Sequence, residues 1–181
     1  MEFKKIQLNG FKSFAEKTNF LIEDGLTGIV GPNGCGKSNI VESLRWVMGE
    51  TSAKSMRGSG MEDVIFSGTS NKASKNIAEV SIEVENKYKE GPIQYRELEQ
   101  IQVRRKIEKD KGSKFYINDK EVRARDAQMF FADLSTGAHS PSMISQGRIG
   151  ALVTAKPTDR RAILEEAAGI SGYTLEDMRL N

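Results

Sequence analysis

Eight consecutive residues limit what this chain can fold into: Gly31-Pro32-Asn33-Gly34-Cys35-Gly36-Lys37-Ser38 satisfies G-x-x-x-x-G-K-[ST] at every fixed position, the Walker A pattern of a P-loop. Glycines let the backbone curl until successive N–H groups converge on phosphate oxygens, and a helix start adds partial positive charge. That mechanism needs a strand before the loop and a helix after it. Leu26, Ile29 and Val30 form an apolar run ending in glycine, which predicts a strand over residues 26–30, buried on both faces as a central parallel strand would be. Ile40, Val41, Leu44, Val47 and Met48 recur at helical spacing, which predicts a helix over 38–48 that stops at Gly49. In this arrangement Lys37 reaches the β and γ phosphates and the Ser38 hydroxyl holds Mg2+. A helix terminus contributes only about 0.3–2 kcal/mol toward an anion, whereas micromolar nucleotide affinity takes about 8 kcal/mol, so the lysine and the metal are both needed. The competing reading, a glycine-rich hairpin before a capped helix, gives Lys37 no task.

Ile6 and Leu8 alternate with Lys5 and Gln7, and Phe20 and Ile22 follow, which predicts two further strands. Ala78, Val80, Ile82 and Val84 alternate with Glu79, Ser81, Glu83 and Glu85, while Ile101, Val103 and Ile107 share one face opposite Gln102, Arg104 and Lys106. Such alternation predicts half-exposed antiparallel strands. Asn118-Asp119, between Phe115 and Ile117 on one side and Val122 on the other, supplies hairpin turn chemistry. Residues 123–134 are helical in pattern, and a last helix opens near Pro157 with Ile163, Leu164, Ala167 and Ala168 on one face. No internal repeat or linker longer than 51–60 interrupts the chain, so one domain is the simplest count.

The 181 residues, 38% hydrophobic and 29% charged, suffice for a packed core. No run approaches the roughly 18 apolar residues of a membrane helix, and Met1 leads into Glu2-Phe3-Lys4-Lys5 without an apolar leader, so a cytoplasmic protein with no membrane partner is expected. Cys35 is the single cysteine, which excludes an internal disulfide. A net charge of +2 does not announce a nucleic-acid binder by itself. Local clustering does more: Arg104, Arg105, Lys106, Lys109, Lys111 and Lys114 crowd two adjoining strands, with Lys72 and Lys75 upstream. These read either as a surface that tracks a phosphate backbone or as a solvated hairpin balanced by Glu97, Glu99, Glu108 and Asp110.

The loop and the helix after it, continuing Asn39-Ile40-Val41-Glu42-Ser43-Leu44-Arg45-Trp46, resemble the ATP-binding head of the SMC (structural maintenance of chromosomes) family. Gly10-Phe11-Lys12-Ser13-Phe14, Ser55-Met56-Arg57-Gly58, Met61-Glu62-Asp63-Val64-Ile65-Phe66 and Ser145-Gln146-Gly147-Arg148 follow in the order that family uses. The stretch from Arg160-Arg161-Ala162-Ile163 to Ala167-Ala168-Gly169-Ile170 is similar to its lead-in to the first coiled-coil arm. The resemblance implies an α/β P-loop NTPase fold of the ABC-ATPase head type, in which residues 1–181 are an N-terminal lobe with a mixed β-sheet and an antiparallel β-subdomain, and residues 170–181 begin the arm.

It also implies a function. With a C-terminal lobe of the same protein and a second head in a homodimer, the chain is expected to bind and hydrolyse ATP for chromosome condensation and segregation, in a nucleoid-associated assembly with DNA and kleisin-type ScpA and ScpB subunits. Lys37, Gln146 and Arg57 are the catalytic candidates: the resemblance makes Gln146 the Q-loop glutamine that touches Mg2+ and the attacking water, and Arg57 an arginine finger that approaches ATP and couples the site to DNA. The competing reading of Gln146, the less favoured one, is a turn glutamine bonded to backbone, whereas Arg57 read without the resemblance is a solvated loop arginine. Lys12, Ser13, Pro32, Asn33, Gly34, Cys35, Gly36, Ser38 and Asn39 complete the expected nucleotide contacts, with Ser38 and Gln146 on the metal.

Family members take their Walker B carboxylates from the C-terminal lobe and a signature Ser-Gly-Gly segment from the other head, so the chain alone is expected to bind without turnover. Met129-Phe130-Phe131-Ala132-Asp133 imitates Walker B and Leu134-Ser135-Thr136-Gly137-Ala138 the signature, but the first is helical in pattern and both precede Gln146. His139 has no metal-ligand companions in sequence. The alternatives are a RecF- or RecN-type DNA-repair ATPase head with the same loop, or a small P-loop kinase or GTPase, which the lack of an N-K-x-D motif disfavours.

Overall fold

The computed structural model describes residues 1–89, 92–133, 154, 156–158 and 160–161. The chain divides into two compact units, Met1–Ala138 and His139–Asn181. In the first, strands β1 (Glu2–Asn9), β2 (Thr18–Leu21), β3 (Ile77–Glu85), β4 (Gln100–Glu108), β5 (Gly112–Ile117) and β6 (Lys120–Val122) form one sheet in the order β2-β1-β3-β4-β5-β6. Every pairing is antiparallel. Helix α1 (Lys37–Val47) contacts β3 and β4, and α2 (Ala124–Asp133) contacts β5.

Alternation sets the core. One row runs Ile6, Ile82, Val103, Ile117 across four strands, and the next runs Leu8, Val80, Arg105, Phe115. All eight are buried. Between β5 and β6, Asn118 and Asp119 both take positive φ, 46° and 62°, the backbone that a two-residue hairpin turn requires. Gly10 ends β1 at φ 63°, and a Cβ there would lie 2.2 Å from the Ile77 carbonyl, so only glycine lets β3 approach.

Arg105 departs from the expected basic surface. Its place in the β4 alternation points it inward, and it is 4% exposed. The guanidinium lies 4.5 Å over the Trp46 ring and 4.6 Å over the Phe115 ring. Its Nη1 donates to the carbonyls of Trp46 (2.8 Å) and Glu50 (2.7 Å), and its Nε donates to Ser113 Oγ (3.0 Å). Burial pushes it down to about 10, with Glu50 opposing, so it stays cationic at neutral pH. It therefore places positive charge where the helix dipole is negative, at the C-terminus of α1. That end is closed by Gly49, φ 106°: Gly49 N–H donates to Trp46 O (3.1 Å) and Glu50 N–H to Arg45 O (3.1 Å), a Schellman cap. Three of the other basic side chains are paired. Arg104 pairs with Glu79 (3.2 Å) and Asp119 (2.9 Å), Lys111 with Glu108 (2.6 Å) and Lys114 with Glu121 (3.0 Å), while Lys106 stands opposite Lys114 in the register.

The larger departure is at residues 26–30, which form no strand. Leu26 is 100% exposed and Val30 94%. A strand buried on both faces must be paired along its edges and covered above and below. Among the described residues no strand pairs with 26–30, so its apolar side chains have nothing to pack on.

In the second unit, Pro157 opens a helical stretch in which the Arg160 N–H donates to Lys156 O at 3.1 Å, as a proline at a first helical position implies. The expected apolar face from Ile163 to Ala168 and the arm over 170–181 lie outside the described residues. No described helix is long and apolar enough to cross a membrane.

Two charged hydrogen bonds from a buried guanidinium to backbone carbonyls are worth about 3 kcal/mol or more. Arg105→Ala is expected to lower unfolding free energy by about that amount in a denaturant titration, whereas Arg104→Ala on the outer face changes it by less than about 1 kcal/mol. Equal costs would contradict the assignment of Arg105 to the core.

Candidate nucleotide-binding site

Helix α1 starts without a side-chain cap: Gly36 is its N-cap at φ 93°, ψ 9°. An uncapped start leaves backbone N–H groups aimed at an anion. Gly34 also takes positive φ, 81°, and residues 31–35 are exposed. Lys37 folds back over this loop, its Nζ donating to Gly31 O (2.6 Å) and Pro32 O (2.5 Å), with Cys35 Sγ at 3.9 Å. The Ser38 side chain is exposed on the first turn, and Asn33 is exposed in the loop.

A second turn meets the first. Phe11 and Phe14 exchange backbone hydrogen bonds (3.0 and 2.8 Å) around Lys12-Ser13, and buried Phe11 packs on Trp46 with ring centroids 5.4 Å apart. This turn brings Ser13 against the phosphate loop: a Cβ on Gly36 would lie 2.5 Å from Ser13 Oγ. Asn39 Nδ2 donates to Ser13 Oγ (2.9 Å), and Arg57 Nη2 donates to Asn39 Oδ1 (3.0 Å). Arg57 ends the 3-10 segment Lys54–Met56 at φ 54°, a position where glycine is usual. The following loop is pinned by Asp63, whose carboxylate accepts from Gly60 N–H (2.9 Å) and Ser59 N–H (2.5 Å) and is held below its ordinary value of 3.8 by those two bonds.

Thus the structure brings Lys12, Ser13, Gly36, Lys37, Ser38, Asn39 and Arg57 to one end of α1. Gln146, His139 and the segment 134–138 lie outside the described residues. The Walker B imitation falls in α2, where Phe130 and Phe131 are buried, so it is core helix. Sequence reasoning missed Glu42. The helical pattern rests on Ile40, Val41, Leu44, Val47 and Met48, yet the buried arc of α1 is Ile40, Glu42, Ser43, Trp46 and Val47, and Val41 is exposed. The available signal was Trp46, four residues on and on the same face. Glu42 is 8% exposed and its carboxylate takes Arg57 Nε on Oε1 and Lys12 Nζ on Oε2.

Residues 2–148 match the family model for the RecF/RecN/SMC N terminal domain. The chain is similar to the chromosome partition protein Smc of Cereibacter sphaeroides, 55% identical over 172 residues, which are 95% of this chain and 15% of that protein. It spans that small share of its curated relative. A solved Smc head bound to the C-winged helix domain of ScpA superimposes with a TM-score of 0.87 at 30% identity, covering 94% of this chain and 52% of that one. A chain solved in a study of ATP-driven dimerization and DNA-stimulated activation of SMC ATPases gives 0.83 at 30% identity, over 92% of this chain and 99% of that one.

The glycines separate two costs. A Cβ at Gly34 meets nothing within 4 Å, while one at Gly36 meets Ser13 as well as an unfavourable φ. Gly34→Ala is expected to lose the backbone term alone, about 1–2 kcal/mol, and Gly36→Ala measurably more in the same denaturant titration. The reverse order would show that the two turns do not meet.

Proposed function

The chain belongs to the RecF/RecN/SMC N-terminal domain family, and from that membership we propose that it is the ATP-binding N-terminal half of an SMC head. With a C-terminal lobe of the same protein and a second head, it binds and hydrolyses ATP in chromosome condensation and segregation. The observation that carries the reading is the uncapped start of α1 directly after a complete Walker A loop, with the Lys37 ammonium already over that loop.

The residues present fit a triphosphate and its metal. Lys37 is held only by loop carbonyls and cysteine sulfur, contacts that an anionic phosphate outcompetes through charge. Among the described residues no three His, Cys, Asp or Glu side chains group to hold a metal, so Mg2+ depends here on the Ser38 hydroxyl and phosphate oxygens, the hard oxygen donors it prefers. The metal, when bound, neutralises charge that develops on the transferred phosphoryl group. From this chain, loop amides and Lys37 orient the phosphates, Asn39 and Ser13 border them, and Arg57 supplies a cation at their edge. Gln146 is assigned the Q-loop role. The carboxylate that activates water comes from the C-terminal lobe, so the chain alone binds without steady-state turnover.

The neighbour bound to ScpA supports a kleisin partner, and ScpB is proposed from the family resemblance alone. The neighbour studied for ATP-driven dimerization and DNA stimulation supports a second head and DNA. A cytoplasmic, nucleoid-associated location follows from that role. A RecF or RecN arrangement shares the family model, but 55% identity to an Smc protein favours the SMC assembly.

In the full-length protein, Lys37→Ala is expected to abolish ATP binding by calorimetry and ATP-dependent head association. Unchanged affinity would defeat the site assignment.

A further inference from the structure

We propose that Glu42 is a positioning residue of the nucleotide site: its one carboxylate holds Lys12 and Arg57 together and so fixes where the Arg57 guanidinium meets the nucleotide. The inference rests on the nucleotide reading above and adds a residue that makes no phosphate contact itself. Glu42 lies on α1 five positions after Lys37, so any motion of the phosphate loop's helix carries it along. Its two oxygens are divided, Oε1 to Arg57 Nε and Oε2 to Lys12 Nζ. Lys12 Nζ also donates to Met56 O (2.5 Å), the carbonyl immediately before Arg57. The carboxylate therefore grips the arginine side chain while its lysine partner grips the arginine's backbone.

Both cations stand on left-handed backbone, φ 46° at Lys12 and 54° at Arg57, an arrangement that persists only when surroundings enforce it. The Arg57 side chain remains 59% exposed, against 13% for Lys12 and 11% for Glu42. Among the described residues, Nε is spent on Glu42 and one Nη2 bond on Asn39, which leaves guanidinium donors for a further acceptor.

The chemistry predicts what glutamine does in this position. A carboxylate offers an acceptor oxygen to each cation, whereas an amide offers one acceptor and an NH2 that repels the other. The more buried Lys12 keeps the amide oxygen, and exposed Arg57 is released. Glu42→Asp retains the charge but is one methylene too short to span both partners, and so serves where glutamine disturbs folding.

The test compares wild type, Glu42→Gln, Glu42→Asp, Arg57→Ala and the double variant Glu42→Gln/Arg57→Ala in the full-length protein. Calorimetric ATP affinity of both Glu42 variants is expected to stay within about threefold of wild type while turnover falls about tenfold to 100-fold, the scale of a displaced catalytic group. The double variant should be no slower than Arg57→Ala, since Glu42 acts through that side chain. Without nucleotide, hydrogen exchange of the peptide over residues 52–60 should speed up in the Glu42 variants. Multiplying losses in the double variant, or wild-type turnover and exchange in both Glu42 variants, would overturn the proposal. A wild-type protein that does not bind ATP would instead remove the nucleotide reading, and this inference with it.

Discussion

Helix α1 is anchored at one end and open at the other, and the anchor is Arg105. This arginine rises from a strand position meant for an apolar side chain, slides between Trp46 and Phe115, and donates to the Trp46 and Glu50 carbonyls at and just beyond the end of the helix. A buried cation is costly unless its hydrogen bonds are met, and here they are met by the helix C-terminus whose dipole it complements. With Gly49 capping the same end and Gln128 of α2 donating to Gly49 O (2.8 Å), the base of α1 is fixed to the sheet and to α2. The opposite end carries no side-chain cap. A fixed base with an open tip lets the first turn of a helix present backbone amides at a repeatable place.

The tip is arranged by a second constraint, the meeting of two turns. Gly36 must lack a side chain for Ser13 to approach, and Ser13 then reaches Asn39, which reaches Arg57. Residues separated by up to 44 positions in sequence thus converge on the first two turns of one helix. Charge is concentrated there, with Lys12 and Arg57 sharing the Glu42 carboxylate and the Lys37 ammonium lying over the phosphate loop. On the outer sheet face Lys5, Arg104 and Lys114 pair with Glu83, Glu79 and Glu121.

Much of this was legible from local pattern. Period-two alternation gave β3 and β4, Asn118-Asp119 gave the hairpin, and the Walker A spacing with the apolar residues after it gave α1 and its stop at Gly49. Alternation also put Arg105 on the inner face, but its charge argued for solvent, and charge was given the greater weight. Glu42 falls outside the apolar pattern of α1, so periodicity alone gives it no role. Burial of an ionised side chain depends on partners far away in sequence, here Lys12 and Arg57, and helical spacing contains no information about them. Residues 26–30 show the converse failure. Apolar composition promised a buried strand, yet a strand is a property of pairing as well as sequence, and the described residues supply no pairing partner.

The central claim is that the backbone amides at the start of α1, with Lys37, receive a triphosphate. Hydrogen exchange of the full-length protein with and without magnesium-ATP measures this at the amides of residues 33–38. The account predicts that saturating nucleotide slows exchange there, with little change along the outer faces of β3 and β4. If calorimetry shows ATP bound while exchange over 33–38 stays unchanged, the nucleotide lies elsewhere and the account is wrong.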